Sequence, residues 1–273
     1  MKITFWGVRG TLPTPDLDKM KTGGNTTCVE VRINNNIIIF DAGTGIVNLG
    51  RSLLKEFEGK QLPTIYIFLT HTHWDHLDGF PFFSVLFYKD AQVNIYGPMG
   101  KNRRLEELIC TQMDDDFCPI SYTKLPAFID CFEIDEEEIQ LPNDIKIISK
   151  KHIHPGGAYS YRLEHNNKVF VFNTDTEHYN TRLDQRVIEI SQDADLMVHD
   201  AQYTEDQIED HIGWGHSTWQ QAVEVANLAN VKKLGLTHHD LERTDKEINI
   251  LEKKVKKVFE NSFFCREKMS IEL

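Results

Sequence analysis

"FLTHTHWDHLDGF", residues 68–80, sets three histidines and two aspartates within eight positions of an apolar opening. The run leading into it, "TIYIFLT" (64–70), follows Pro63 and has the pattern of a short buried strand. On an extended segment, side chains at i and i+2 point the same way, so His71 and His73 can grip one ion together. Asp75 and His76 come after the turn and can face a second ion beside the first. Imidazole and carboxylate donors suit zinc, manganese or iron, and an all-nitrogen-and-oxygen set tolerates two-metal sites. Packing alone rarely gathers three histidines and an aspartate at this spacing.

Outward from this stretch, "KITFWG" (2–7), "TTCVEVRIN" (26–34) and "NIIIFDAG" (36–43) predict strands, the last two joined as a hairpin by an asparagine-rich turn. "GIVNLGRSLLKEF" (45–57) has apolar residues at helical spacing. Further on, "RRLEELICTQM" (103–113) predicts a helix, and the acidic "EIDEEEIQLPND" (133–144) a solvated loop. Strands follow in "DIKIISKKHIH" (144–154), "YSYRLEH" (159–165), "KVFVFNTD" (168–175), "ADLMVHDAQ" (194–202) and "KKLGLTHH" (232–239). Helices are predicted over "STWQQAVEVANLANV" (217–231) and the amphipathic "DKEINILEKKVKKVFE" (245–260). Strands and helices alternate in both halves without repeat or linker, which predicts one layered α/β domain over residues 1–273.

A chain of 273 residues can bury a proper core, and 40% hydrophobic with 26% charged residues is ordinary for a soluble protein. A net charge of -12 argues against broad binding to long nucleic acids, which needs a basic surface. It leaves room for a small anionic substrate. No apolar run approaches membrane-spanning length. The opening "MKITFWGVRG" is not of the signal-peptide kind, and the five scattered cysteines form no C-x-x-C pair. These features predict a cytoplasmic protein without a disulfide framework.

The pattern H-x-H-x-D-H after a core strand resembles the signature of the metallo-β-lactamase superfamily, and the resemblance extends over most of the chain. It implies a four-layer αββα sandwich. "FDAG" matches the family's Asp-x-Gly element, with Asp41 as a residue that orders the metal loop. The resemblance places the third histidine of the first site eight residues before Arg162, at His154, with His152 as the alternative. The bridging carboxylate matches Asp175 in "NTDT", and the last ligand matches His238 in "GLTHHD", with His239 as its rival. The implied cofactors are two divalent ions, zinc, manganese or iron. One would take His71, His73, His154 and Asp175, the other Asp75, His76, Asp175 and His238.

Other segments narrow the branch. "ADLMVHDAQYT" (194–204) and "GHSTWQQAVEVANLANVKKLGLTH" (215–238) resemble the H-E-A-T and H-S-T regions of tRNase Z and its small-molecule relatives. By that match His216 and Asp200 work near the leaving group, although Asp200 stands where a glutamate is usual and shortens the arm. "WGVRGTLPTP" (6–15) and "GGNTTCVEV" (23–31) are similar to the phosphodiesterase branch that includes phosphoribosyl cyclic phosphodiesterase and cyclic-nucleotide phosphodiesterases. No Gly- and basic-rich tRNA-gripping arm is visible. The resemblance therefore implies hydrolysis of a small cyclic phosphodiester, a cyclic nucleotide first, by a metal-bridged hydroxide. Asp75 would orient or deprotonate that hydroxide, and His216, held by Asp200, would act as acid. The alternatives are a tRNase Z-like RNA 3′-end endonuclease and a metal-dependent hydrolase of a non-nucleotide ester. Relatives of this branch imply a homodimer; no membrane partner is expected. Trp74, Phe80, Phe82 and Phe83 are candidates for a base-stacking wall, with core and dimer packing as the equal alternative, and Trp214 in "GWGH" for a flap, with a loop anchor as the alternative.

Overall fold

The run Asn36–Phe40 is buried along its whole length, and its alternation explains the layering. Ile38 and Phe40 point to one apolar core, Ile37 and Ile39 to another on the opposite face. The computed structural model describes residues 1–178 and 182–273. One sheet contains β1 (Lys2–Gly7), β2 (Cys28–Ile33), β3 (Asn36–Phe40), β4 (Ile65–Phe68), β5 (Gln92–Pro98) and β6 (Phe128–Ile134). The other contains β7 (Glu138–Leu141), β8 (Ile145–His152), β9 (Ala158–His165), β10 (Lys168–Asn173), β11 (Leu196–Asp200), β12 (Leu234–Thr237) and β13 (Ser262–Phe264). The last strand, β14 (Ser270–Glu272), returns to pair with β1, giving two seven-stranded sheets.

Both sheets are mixed. In the first, β3 to β6 run parallel, and in the second β10 to β13 do. The sheets face each other across Phe40, whose ring lies 5.6–5.9 Å from those of Phe68, Tyr161, Phe170 and Phe172. Truncating Phe40 to alanine would cost about 3–5 kcal/mol. The helices are α1 (Gly45–Glu56), α2 (Leu105–Thr111), α3 (Gln185–Ile190), α4 (Glu205–Ile208), α5 (Trp219–Leu228) and α6 (Asp245–Val255). Leu49 and Leu53 of α1 and Leu105 and Ile109 of α2 cover the outer face of the first sheet. Val187 of α3, Val225 of α5 and Leu251 of α6 cover that of the second. The result is the αββα metallo-β-lactamase fold.

The acidic stretch 133–144 departs from the solvated loop expected of it. It holds the end of β6 and all of β7, because Ile134 and Leu141 are buried in the core between the sheets while Glu138 and Gln140 face outward. In β7 the apolar Ile139 and Leu141 alternate with Glu138 and Gln140, the period-2 pattern of a half-buried strand. No described helix is long and apolar enough to cross a membrane.

Candidate metal centre

The loop after β4 is fixed from both sheets before it reaches the histidines. Tyr161 of β9 donates its hydroxyl to the Leu69 carbonyl at 2.7 Å, and the Tyr159 amide donates to Thr70 O at 3.0 Å. Beneath it lies Asp41, fully buried and in the left-handed region at φ 62°. Its carboxylate accepts from the Thr70 amide at 2.7 Å and hydroxyl at 2.9 Å, and lies 2.8 Å from His76 Nδ1. That bond turns His76 Nε2 toward the other carboxylates. Burial pushes the Asp41 carboxyl up, against the opposing pull of His76 and Thr70.

His71, His73 and His154 form one group, with donor atoms within 4.8 Å of one another. Asp75, His76, Asp175 and His238 form a second within the same limit. Asp175 joins them. Its Oδ1 lies 3.8 Å from His71 Nε2 and 3.9 Å from His154 Nε2, and its Oδ2 lies 3.1 Å from His76 Nε2 and 3.3 Å from His238 Nε2. A third group, Asp200, His216 and His238, borders the second. The structure thus brings together all nine residues singled out from the sequence. Both pairs of rivals separate as well. His238 faces the carboxylates, whereas His239 turns away and places Nε2 2.9 Å from the Cys265 carbonyl. His154 joins the cluster, and His152 stays buried outside it.

This donor set fits divalent ions. Nitrogen and oxygen ligands bound at about 2.0–2.2 Å from one ion lie roughly 3–4 Å apart, the separation seen around Asp175. His71 Nε2 is buried without a hydrogen-bond partner, a lone pair kept for something else. Burial lowers His71 well below the usual imidazole range, lowers His73, and brings His154 down to about 4, so these rings are neutral donors at neutral pH. Around the second group the carboxylates prevail. Burial works against the charge of His238, yet Asp175, Asp75 and Asp200 push it up to about 9. Burial would raise Asp175 too, but His238, His76 and His71 hold it well below the carboxylate range.

Several supporting residues carried no signal in the sequence. The Thr11 amide donates to Asp75 Oδ2 at 2.9 Å across a separation of 64 residues. Gln202 Oε1 lies 2.7 Å from His238 Nδ1 and fixes that ring from behind. Asp200 is fully buried and accepts from the amides of Asp175, Gln202 and Ser217 as well as facing His216 Nδ1 at 3.0 Å. Its carboxylate is thus enclosed by these partners, with His216 between it and the surface. The four aromatic residues divide between the two alternatives. Phe80 and Phe83 are packed in the core on the α1 side of the first sheet, whereas Trp74 and Phe82 stay 82% and 64% exposed.

Paired histidine–carboxylate clusters at one edge of facing sheets can hold metal ions, and together with the relatives that follow they make the chain a metal-dependent hydrolase. The model of the beta-lactamase superfamily domain matches residues 36–239, and the chain belongs to that superfamily. It is 26% identical to the ribonuclease Z of Archaeoglobus fulgidus, over 100% of this chain and 97% of that protein. In fold it is similar to the metallo-beta-lactamase fold protein YhfI from Bacillus subtilis, with a TM-score of 0.72 at 19% identity and 99% of each chain covered. A diphosphatase of the PhnP family gives 0.71 at 17% identity, over 100% of this chain and 97% of that one.

Proposed function

We propose that this chain hydrolyses a small cyclic phosphodiester, a cyclic nucleotide first, to a linear monoester. The observation that carries this reading is His216 beside the paired clusters. Its Nδ1 is 3.0 Å from Asp200 Oδ2, and its ring stacks 4.9 Å from that of His238. Burial opposes the Asp200 charge, but His216 and His238 hold its carboxyl below the usual value, so it stays ionised and fixes the His216 ring through Nδ1. The other edge of the ring, Nε2, then passes its proton to the leaving alkoxide. A positioned acid contributes about 10² to 10⁴ in rate. Asp75, braced by the Thr11 amide, orients the attacking water. Divalent ions held by His71, His73, His154, Asp175, Asp75, His76 and His238 would supply Lewis acidity toward the phosphoryl oxygens.

Two observations favour a small substrate. The net charge of -12 gives a long polyanion little attraction. The alignment with the Archaeoglobus enzyme runs 321 columns against 273 residues here, a difference of 48, so the relative carries segments without a counterpart in this chain. A second reading, an RNA 3′-end endonuclease, is favoured by the full-length match to a ribonuclease Z. Product analysis separates them. Zinc- or manganese-loaded protein is mixed with 3′,5′- and 2′,3′-cyclic nucleotides, and in parallel with a precursor-tRNA transcript. Linear nucleotide from wild type but not from Asp75→Ala supports the first reading. Cleavage of the transcript alone moves the assignment to the second.

A further inference from the structure

We propose that Glu177 is a positioning residue that sets the tautomer of His154 and ties the Trp214 loop to it. The inference rests on His154 as a metal ligand. Glu177 follows Asp175 by two positions, and three hydrogen bonds close a ring through it. The Glu177 amide donates to the Ile153 carbonyl at 3.0 Å. Its carboxylate accepts from the Gly213 amide at 2.6 Å through Oε1 and from the Gly215 amide at 2.8 Å through Oε2. The Gly215 carbonyl lies 3.0 Å from His154 Nδ1. A carbonyl can only accept, so Nδ1 carries the proton and Nε2 keeps its lone pair facing His73 and Asp175.

The loop is shaped for this carboxylate. Gly213 and Gly215 both sit in the left-handed region, at φ 85° and 93°, and aim their amides at one carboxyl group. A Cβ on Gly215 would come within 2.1 Å of His154 Nδ1, so the approach needs glycine. Each oxygen of Glu177 serves one amide. Glutamine would offer one acceptor and turn an NH₂ group toward the second glycine, donor against donor. Trp214, 59% exposed between the two glycines, is held by the same carboxylate, so its position and that of His154 are one setting.

The test uses nitrogen-15 spectra of histidine rings in the metal-free full chain, with zinc titrations against a chromophoric chelator. Wild type, Glu177→Gln, Glu177→Ala, Gly215→Ala and His154→Ala are compared. Wild-type His154 should show Nδ1–H and a bare Nε2. Both Glu177 variants and Gly215→Ala should show mixed tautomers and faster exchange of the residue-215 amide. One zinc equivalent should weaken about 10–100-fold while the other is retained. Glutamine should rescue no more than alanine does. A wild-type His154 spectrum and unchanged zinc binding in Glu177→Gln would overturn the proposal. Two unchanged equivalents in His154→Ala would overturn the ligand assignment of His154 itself, and the proposal with it.

Discussion

The two seven-stranded sheets supply the centre in different ways. The first delivers His71, His73, Asp75 and His76 from one loop, because β4 ends and a 3₁₀ turn over Trp74–His76 begins within a few residues. The second delivers His154, Asp175, Asp200 and His238 from the ends of four strands, β8, β10, β11 and β12. Register makes the second set converge. Parallel β10, β11 and β12 pair Asn173 with His199 and Asp200 with Thr237, so their carboxyl ends share one edge. One half of the centre is thus local in the chain, and the other exists only once the sheet has formed.

Mutations can break this division, and the largest effect should come where the halves meet. Asp175 faces histidines of both groups through separate oxygens. Asp175→Ala should lose both metal equivalents and all measurable turnover, read by elemental analysis and product assay. His73→Ala, on the exposed side of one group, should lose only one equivalent. Support beneath the local loop comes next. Asp41→Ala leaves His76 and Thr70 without their buried acceptor, and should cost about 3–5 kcal/mol in urea unfolding of metal-free protein.

The groups should also part with pH. His71 and His154 are already neutral at pH 7, so zinc uptake there should be nearly flat above about pH 5. His238, raised to about 9, carries a proton at pH 7 that an ion must displace. Affinity at the second group should rise about tenfold per pH unit for each proton released between pH 6.5 and 9, then level off. In metal-free protein the sign reverses. The stabilising ion pair of His238 is fully present below pH 6.5 and is lost as pH rises through 9. Zinc titrations and thermal melts at pH 6, 7, 8 and 9 check both slopes. The smallest effect is expected at Thr11, a β-branched residue at φ 68°. Thr11→Gly relieves strain and keeps the amide to Asp75, so stability should change by no more than about 1 kcal/mol in a thermal melt.

The same division decides what could be read before the structure. The contiguous loop was legible because i, i+2 alternation and a turn dictate its geometry directly. His154, Asp175 and His238 were reached only through the resemblance to known family motifs, since no local rule links positions so far apart. Thr11, Gln202 and Glu177 were missed for the same reason: each acts through a hydrogen bond set by tertiary contact. In the fold, β3, β4 and β10 declared themselves by apolar runs. The strand β5 alternates regularly and was open to the same reading. In contrast, β6 exposes Phe128 and Phe132, and β13 is three residues long, too short for a pattern.

His216, held by Asp200 beside the paired clusters, is the proposed donor of the proton to the leaving group. The direct test compares wild type and His216→Ala on a nitrophenyl phosphodiester, whose leaving group needs little protonation, and on a cyclic nucleotide, whose alkoxide needs it fully. Metal content is measured in both proteins. His216→Ala should retain two metal equivalents, lose about 10² to 10⁴ on the cyclic nucleotide, and lose much less on the nitrophenyl ester. Equal losses on the two substrates would contradict that role.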